Sequence, residues 1–358
     1  MSEPIRITTN DLARPEVDEY VELQAHFQRN IDPTGDQPWV IRVIYANWFY
    51  LSVCCMIGGL LGWAIMEPFF DDNALEGEGS LAAILLFPVV ASSVGLFLGA
   101  AEGLMCRNIQ RAVASGLTGL VVGFVGGFIA LIPTSILFGV MTAFAVSLWK
   151  DPQPDAMPTG LALLVFMMGR GGAWSIAAIP AGIGPGIALR ERSVIINGLM
   201  GAVLGGLLGG LLFDPISMVL ISEDGQATFS RAVGFGTIGT LVGLFVGLIE
   251  GWTKTAWLLM RKGPLAGKQF ILFKDTTILG SSPKADIYLF KDDAIEPRHA
   301  TITNRGGRFE IEDCGTADGT YVNGIPIRSH VLRPGDQVVV GKTVLEFSVK
   351  ESKSGGAG

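Results

Sequence analysis

The chain has 358 residues, of which 49% are hydrophobic and only 16% charged, with 48 glycines, a mean hydropathy of +0.46 and a formal net charge of −7. A soluble chain of this size carries about 25% charged residues, so a purely soluble globular protein is excluded. The lack of a basic patch speaks against nucleic acid as a partner.

The apolar excess lies between about residue 43 and residue 260. This divides the chain into a cytosolic N-terminal segment 1–42, a glycine-rich transmembrane domain 43–262, a β-sandwich 263–350 and a flexible tail 351–358. No secretory signal precedes the first apolar run. In the N-terminal segment Tyr20, Leu23 and Phe27 share one helical face, which suits a short helix on a surface.

Six spans follow. The first covers about 43–66 and the second about 81–106. The third starts near Ala112 and reaches 20 residues by Leu131, the length a bilayer requires. The apolar run continues to Trp149, so Pro133 is read as a break, with 134–149 an interfacial or re-entrant helix. The fourth lies within 161–189, interrupted by "GRGG" and by Pro180 and Pro185. The fifth covers about 194–213 and the sixth about 232–251, with an extension to Met260 left open. Segments 67–79 and 214–229 hold acids and no base, whereas Arg107 and Arg111, Arg190 and Arg192, and Lys254, Arg261 and Lys262 fall on the alternate turns. By the positive-inside rule both termini are cytosolic, and the protein sits in the cytoplasmic (inner) membrane.

The membrane part repeats internally. "VGLFLGAAEG" at 94–103 matches "VGLFVGLIEG" at 242–251, and Gly119, Gly123 and Gly127 align with Gly201, Gly205 and Gly209. Glycines four apart lie on one helical face and let backbones approach, so a packing seam is expected, with homo-oligomerisation left open. Glu102 and Glu250 occupy equivalent positions near the cytosolic ends of their spans, and Arg170 and Arg231 align near the outer ends. All four are read as anchors at the interface rather than an ion relay.

From Lys268 the hydrophobic period becomes two, and short strands alternate with turns such as Asp318–Gly319 and Asn323–Gly324, the pattern of a β-sandwich. "ILGSSPKADIYL", "AIEPRHATI", "GTADGTYVNGIPI" and "LRPGDQVVVGKTVLEF" follow one another in the order of a forkhead-associated (FHA) domain, which residues 266–349 resemble. The resemblance implies an eleven-stranded sandwich whose loops bind phosphothreonine peptides. Gly280, His299, Gly319, Thr320 and Gly324 match its structural positions, with His299 a brace for the loops and no catalyst. Asn323 matches a residue that contacts the peptide main chain.

The phosphate-contacting positions differ. Ser281 stands where the family has arginine, Glu296 where it has serine, and Ala317 and Asp318 where it has threonine and asparagine. A lost arginine removes bidentate recognition. Two like charges about 4 Å apart near a surface repel by about 4 kcal/mol, roughly a thousandfold in affinity. Lys284, Arg298 and Arg305 are the bases that could compensate, with Arg298 nearest in sequence to His299.

Cys54, Cys55, Cys106 and Cys314 read as buried free thiols. No Cys/His metal spacing, P-loop or nucleophile–histidine motif is present, so neither a metal, a cofactor nor an enzyme site is expected. The fold class is an α-helical polytopic bundle of about six spans, built from duplicated hairpins, plus an all-β FHA-like sandwich. The function expected is a membrane-anchored scaffold whose module recruits a cytosolic signalling partner without phosphothreonine. The alternatives are a channel or transporter regulated by the module and a phosphothreonine-dependent adaptor in a Ser/Thr kinase pathway.

Overall fold

The structure is a computed structural model that describes residues 38–70, 81–149, 158–220 and 227–350. The helix expected around Tyr20, Leu23 and Phe27, the acidic stretch 71–79 and the tail 351–358 lie outside the described residues.

Among the described residues seven helices come first: α1 (Trp39–Ile44), α2 (Asn47–Met66, followed by a 3-10 turn at Glu67–Phe69), α3 (Leu81–Met105), α4 (Ile109–Leu148), α5 (Leu161–Leu189), α6 (Arg192–Leu220) and α7 (Thr228–Thr253). Helices α2 to α7 are long and apolar enough to cross a membrane. Each packs against the next, and α7 packs back on α2, so the six form a closed ring that α3 and α5 bridge. Its centre is filled by Leu51, Cys55, Val94, Leu98, Trp174, Phe235 and Val242. The α3–α4 and α5–α6 turns are built alike, with Arg107 (φ 53°) and Arg190 (φ 57°) both left-handed.

Three helix boundaries differ from the sequence reading. Pro133 does not break the third span: α4 is one helix of 40 residues with the proline inside it. At 1.5 Å per residue it is about 60 Å long, roughly twice a bilayer's hydrocarbon thickness. Its second half stays helical because it packs along α5. Phe138 lies 5.4 Å from Phe166, centroid to centroid. A Cβ on Gly172 would come within 2.8 Å of Leu137. Next, α5 runs unbroken through "GRGG", Pro180 and Pro185, since the side chains of Met141, Leu137 and Leu211 fill the space its glycines leave. Finally, α6 continues past Phe213 through Asp214 and Pro215 to Leu220.

The sandwich holds eleven strands: β1 (Ala256–Lys262), β2 (Gln269–Ile271), β3 (Thr276–Gly280), β4 (Ile287–Tyr288), β5 (Ala300–Arg305), β6 (Arg308–Asp313), β7 (Thr320–Val322), β8 (Ile325–Ile327), β9 (Ser329–Val331), β10 (Gln337–Val340) and β11 (Thr343–Val349). They form a six-stranded sheet ordered β2-β1-β11-β10-β7-β8 and a five-stranded sheet ordered β4-β3-β5-β6-β9. Leu258, Met260, Leu279, Ile302, Ile311, Val338, Leu345 and Phe347 are buried between them.

Strand β1 moves the domain border. Sequence reading left an extension of span six to Met260 open and placed the border at 262/263, but Ala256 pairs with Val349 and Met260 with Leu345. Ala256, Leu258 and Met260 are buried while Trp257 and Leu259 are less so. This period-two alternation is hidden in the run "TAWLLM" when only its mean hydropathy is considered. The four cysteines are free thiols, but Cys314 is exposed and Cys54 half-buried, against the expectation that all four are buried.

Candidate partner-binding site

The loops at one end of the sandwich are held by backbone contacts before any side chain is considered. Strand β3 ends at Gly280, where a Cβ would run into the Pro297 carbonyl. That closeness lets Ser281 N–H donate to Glu296 O at 2.9 Å and Ser282 N–H to Pro297 O at 3.4 Å. The β3–β4 and β4–β5 loops are thereby stitched together.

His299 is fully buried beneath them. Its backbone N–H donates to Leu279 O and its carbonyl accepts from Cys314 N–H. The ring Nδ1 accepts from Glu296 N–H at 3.2 Å, which leaves Nε2 to donate to Gly319 O at 3.1 Å. One side chain therefore ties the β4–β5 loop to the β6–β7 loop. Asp313 holds the second loop from the other side. Its carboxylate accepts from Gly315 N–H at 2.8 Å, Thr316 N–H at 3.1 Å, and the hydroxyls of Thr316 and Thr320 at 2.8 Å each. Burial pushes this carboxyl up, but those hydrogen bonds outweigh it and hold the group below the usual carboxylate range.

Glu296 is exposed, and its side chain folds back over the same loop. Oε1 accepts from Ala317 N–H at 3.0 Å. A backbone N–H at a loop tip is the kind of donor a bound anion takes, and here the chain's own carboxylate takes it. Ser281, Glu296 and Ala317 are thus brought together, as their shared motif positions suggest. Arg298 and Asp318 sit on the same loops, exposed.

Asn323 is placed differently. It takes φ 54° in the β7–β8 turn, its Nδ2 donates to Asp336 Oδ1 at 2.8 Å, and its Oδ1 accepts from Gln337 N–H at 2.9 Å. Both ends of its amide are engaged within the sandwich. Lys284 is exposed, and Arg305 lies 3.8 Å from Glu310.

Sequence reasoning missed Asp313, Asp336 and Asp292. Asp292 Oδ2 accepts from Lys342 N–H at 2.6 Å and Oδ1 from Ala294 N–H at 3.3 Å, and Asp336 accepts from Arg333 N–H at 2.7 Å. Asp292 and Asp313 each precede a turn, the position at which a short carboxylate bonds the backbone two or three residues on, whereas Asp336 closes a turn by accepting from the backbone three residues back. That signal was present in "DDA" and "DCGT".

In the helical unit, Gly119, Gly123 and Gly127 of α4 face α3, at Gly95, Ala91 and Pro88. Gly201, Gly205 and Gly209 of α6 face α7, at Val246, Val242 and Ile238. Glu102 accepts from Tyr50 Oη at 2.6 Å and Glu250 from Asn47 Nδ2 at 2.9 Å, so both carboxylates meet the first turn of α2. The two arginines have carboxylate partners: Arg170 lies 2.8 Å from Asp214, and Arg231 lies 2.6 Å from Glu67. Sequence reading had assigned both acids to loops; the structure places Asp214 inside α6 and Glu67 in the 3-10 turn that follows α2. A signal was available, since "GGLLGWAIMEP" at 58–68 and "GGLLGGLLFDP" at 205–215 share three glycines, two leucines and an acid before proline.

The FHA domain family matches residues 277–341. The glycogen accumulation regulator GarA of Mycolicibacterium smegmatis is 42% identical over 112 residues, covering 31% of this chain and 68% of that protein. The oxoglutarate dehydrogenase inhibitor of Corynebacterium jeikeium is 42% identical over 101 residues, covering 28% of this chain and 67% of that protein. Among solved structures, the FHA domain of the CT664 protein from Chlamydia trachomatis is 29% identical, with a TM-score of 0.26, covering 27% of this chain and 100% of that one.

Proposed function

This chain belongs to the FHA-domain family, and on that premise we propose that it is a membrane-anchored adaptor whose sandwich recruits a protein partner without requiring phosphothreonine. A binding role is supported by the matched relatives, one named as a regulator and the other as an inhibitor of an enzyme. Membrane anchoring is supported by the six long apolar helices. The Lys and Arg residues on alternate turns favour cytosolic termini.

The observation that carries the phosphate-independent reading is the bond from Ala317 N–H to Glu296 Oε1. An incoming phosphate must displace a carboxylate from its donor and then lie beside it, and Ser281 supplies no guanidinium to offset the repulsion. A partner that contacts these loops through main-chain groups or through bases meets no such obstacle.

The test is capture of a phosphothreonine peptide library and its unphosphorylated counterpart by the full chain. We expect no preference for the phosphorylated set, and Glu296→Ser to raise phosphopeptide capture about tenfold or more. Micromolar, phosphate-dependent capture by the unaltered protein would sink the reading in favour of a phosphothreonine-dependent adaptor.

A channel or transporter draws support from one observation, the convergence of Glu102 and Glu250 on the first turn of α2. The side chains that fill the middle of the ring weigh against it.

A further inference from the structure

Two arginine–carboxylate pairs occupy one end of the helical ring, and only one is saturated. Arg231 binds Glu67 through Nε at 3.0 Å and Nη2 at 2.6 Å, and Trp63 Nε1 adds a third donor at 2.8 Å. Arg170 Nε approaches Asp214 Oδ1 to 2.8 Å without hydrogen-bond alignment. Asp214 is 1% exposed, and beyond that one contact with Arg170 neither of its oxygens has a hydrogen-bonding partner among the described residues.

The other buried side-chain atoms in that condition are Thr134 Oγ1 and Thr142 Oγ1. They lie on the face of α4 that carries Phe138 between them, and the Phe138 ring lies against Arg170. The buried side-chain oxygens and nitrogens of the described residues that have no well-aligned hydrogen bond therefore belong to one junction of α4, α5 and α6. Buried polar groups are almost always hydrogen-bonded, so a local concentration of exceptions points to something the site takes up.

Arg170 has a second source of stabilisation. Its Cζ sits 5.4, 5.2 and 5.2 Å from the ring centroids of Phe138, Phe166 and Phe213. Three aromatic faces hold a guanidinium charge without help from a carboxylate. Asp214 can therefore become neutral without stranding a buried cation. A neutral carboxylic acid also gains a donor, which a carboxylate lacks.

We propose that Asp214 is a proton-binding site in the helical unit. A proton from water binds a carboxylate oxygen, one O–H bond forms, and no electron moves. Arg170 then rests on its aromatic cage, and the charge contact between α5 and α6 is released. Among the described residues few other charges bear on the group. On α5 the facing charge is Arg170. On α4 the facing residues, Thr134, Phe138 and Thr142, are uncharged. On α7 the nearest charged residue is Arg231, which Glu67 from the turn after α2 engages, and α6 itself carries no other charge beyond Arg192 at its far end. The inference stands independently of how the sandwich chooses its partner.

Infrared difference spectroscopy of the full chain in lipid vesicles, with carbon-13-labelled aspartate, tests it. As pH falls we expect a carboxylic-acid carbonyl band that shifts with the label and exchanges slowly in heavy water, as an enclosed group must. Asp214→Asn removes that band and Glu67→Gln leaves it. No slowly exchanging aspartic-acid band at any pH at which the protein stays folded, or its persistence in Asp214→Asn, overturns the proposal and leaves the pair a permanent structural contact. Should Asp214→Asn fail to fold, the labelled unaltered protein decides by the presence or absence of the band.

Discussion

In the helical unit most glycines within the helices have ordinary helical backbone and are required by their neighbours. A Cβ on Gly127 would come within 2.5 Å of Pro88 Cα, and one on Gly201 within 2.5 Å of Val246 Cα. In the sandwich, Gly319 has nothing within 4 Å of where its Cβ would be, but its φ is +68°, a conformation that L residues adopt at a cost. The first group secures close packing between helices through direct backbone contact. Gly319 instead shapes a loop tip, where its carbonyl accepts from His299. The same residue type thus reports crowding at the helix contacts and backbone geometry at Gly319.

Substitutions separate the two uses. The largest effect is expected for Gly201→Val, because the atoms it meets are backbone and cannot swing aside. It should destabilise the helical unit by about 3 kcal/mol or more, read as a lowered thermal midpoint of the full chain in detergent. Gly139→Ala is the matching control, with open space around it and a helical backbone. It should be neutral or stabilising by up to about 1 kcal/mol. Gly319→Ala should cost about 1–2 kcal/mol through backbone strain alone, with weakened partner capture as the loop shifts. If Gly319→Ala proves harmless while Gly201→Val is severe, packing alone governs both regions and the contrast fails.

The smallest effect expected is one of pH. The Asp313 carboxyl is held below its ordinary value when folded, so its contribution is present above about pH 4 and is lost as pH falls through the lowered folded value. Hydrogen exchange at the amides of Gly315 and Thr316 should quicken in that acid range, and Asp313→Asn should abolish the dependence. The glycine contacts between helices carry no titrating group and should keep their protection over the same range.

Much of the candidate site was legible because it rests on local pattern. Gly280, His299, Gly319 and Gly324 were found through the resemblance to the FHA family, and the positions of Ser281, Glu296 and Ala317 followed from it. The direction in which Glu296 points was not legible. A carboxylate at a loop tip reads as a repulsive charge, and only the folded path of the 314–319 loop shows that it meets an N–H instead. The resemblance marks Asn323 as a contact for a partner; that Asp336 and Gln337 engage its amide was not legible in the sequence.

What this sequence determined by itself is its set of elements and their class: six long apolar helices, a change to period-two strands, and glycines four apart on one face of a helix. These follow from hydropathy and periodicity, which act over a few turns or a few strand residues. Tertiary structure alone decided where helices continue through Pro133, "GRGG" and Asp214, because a proline or glycine ends a helix only where no neighbour supports the backbone beyond it. It also decided which charges meet. Arg231 finds Glu67 across 164 residues of sequence, and Arg170 finds Asp214 across a hairpin, because ion pairing depends on the path of the chain and not on the spacing of letters along it.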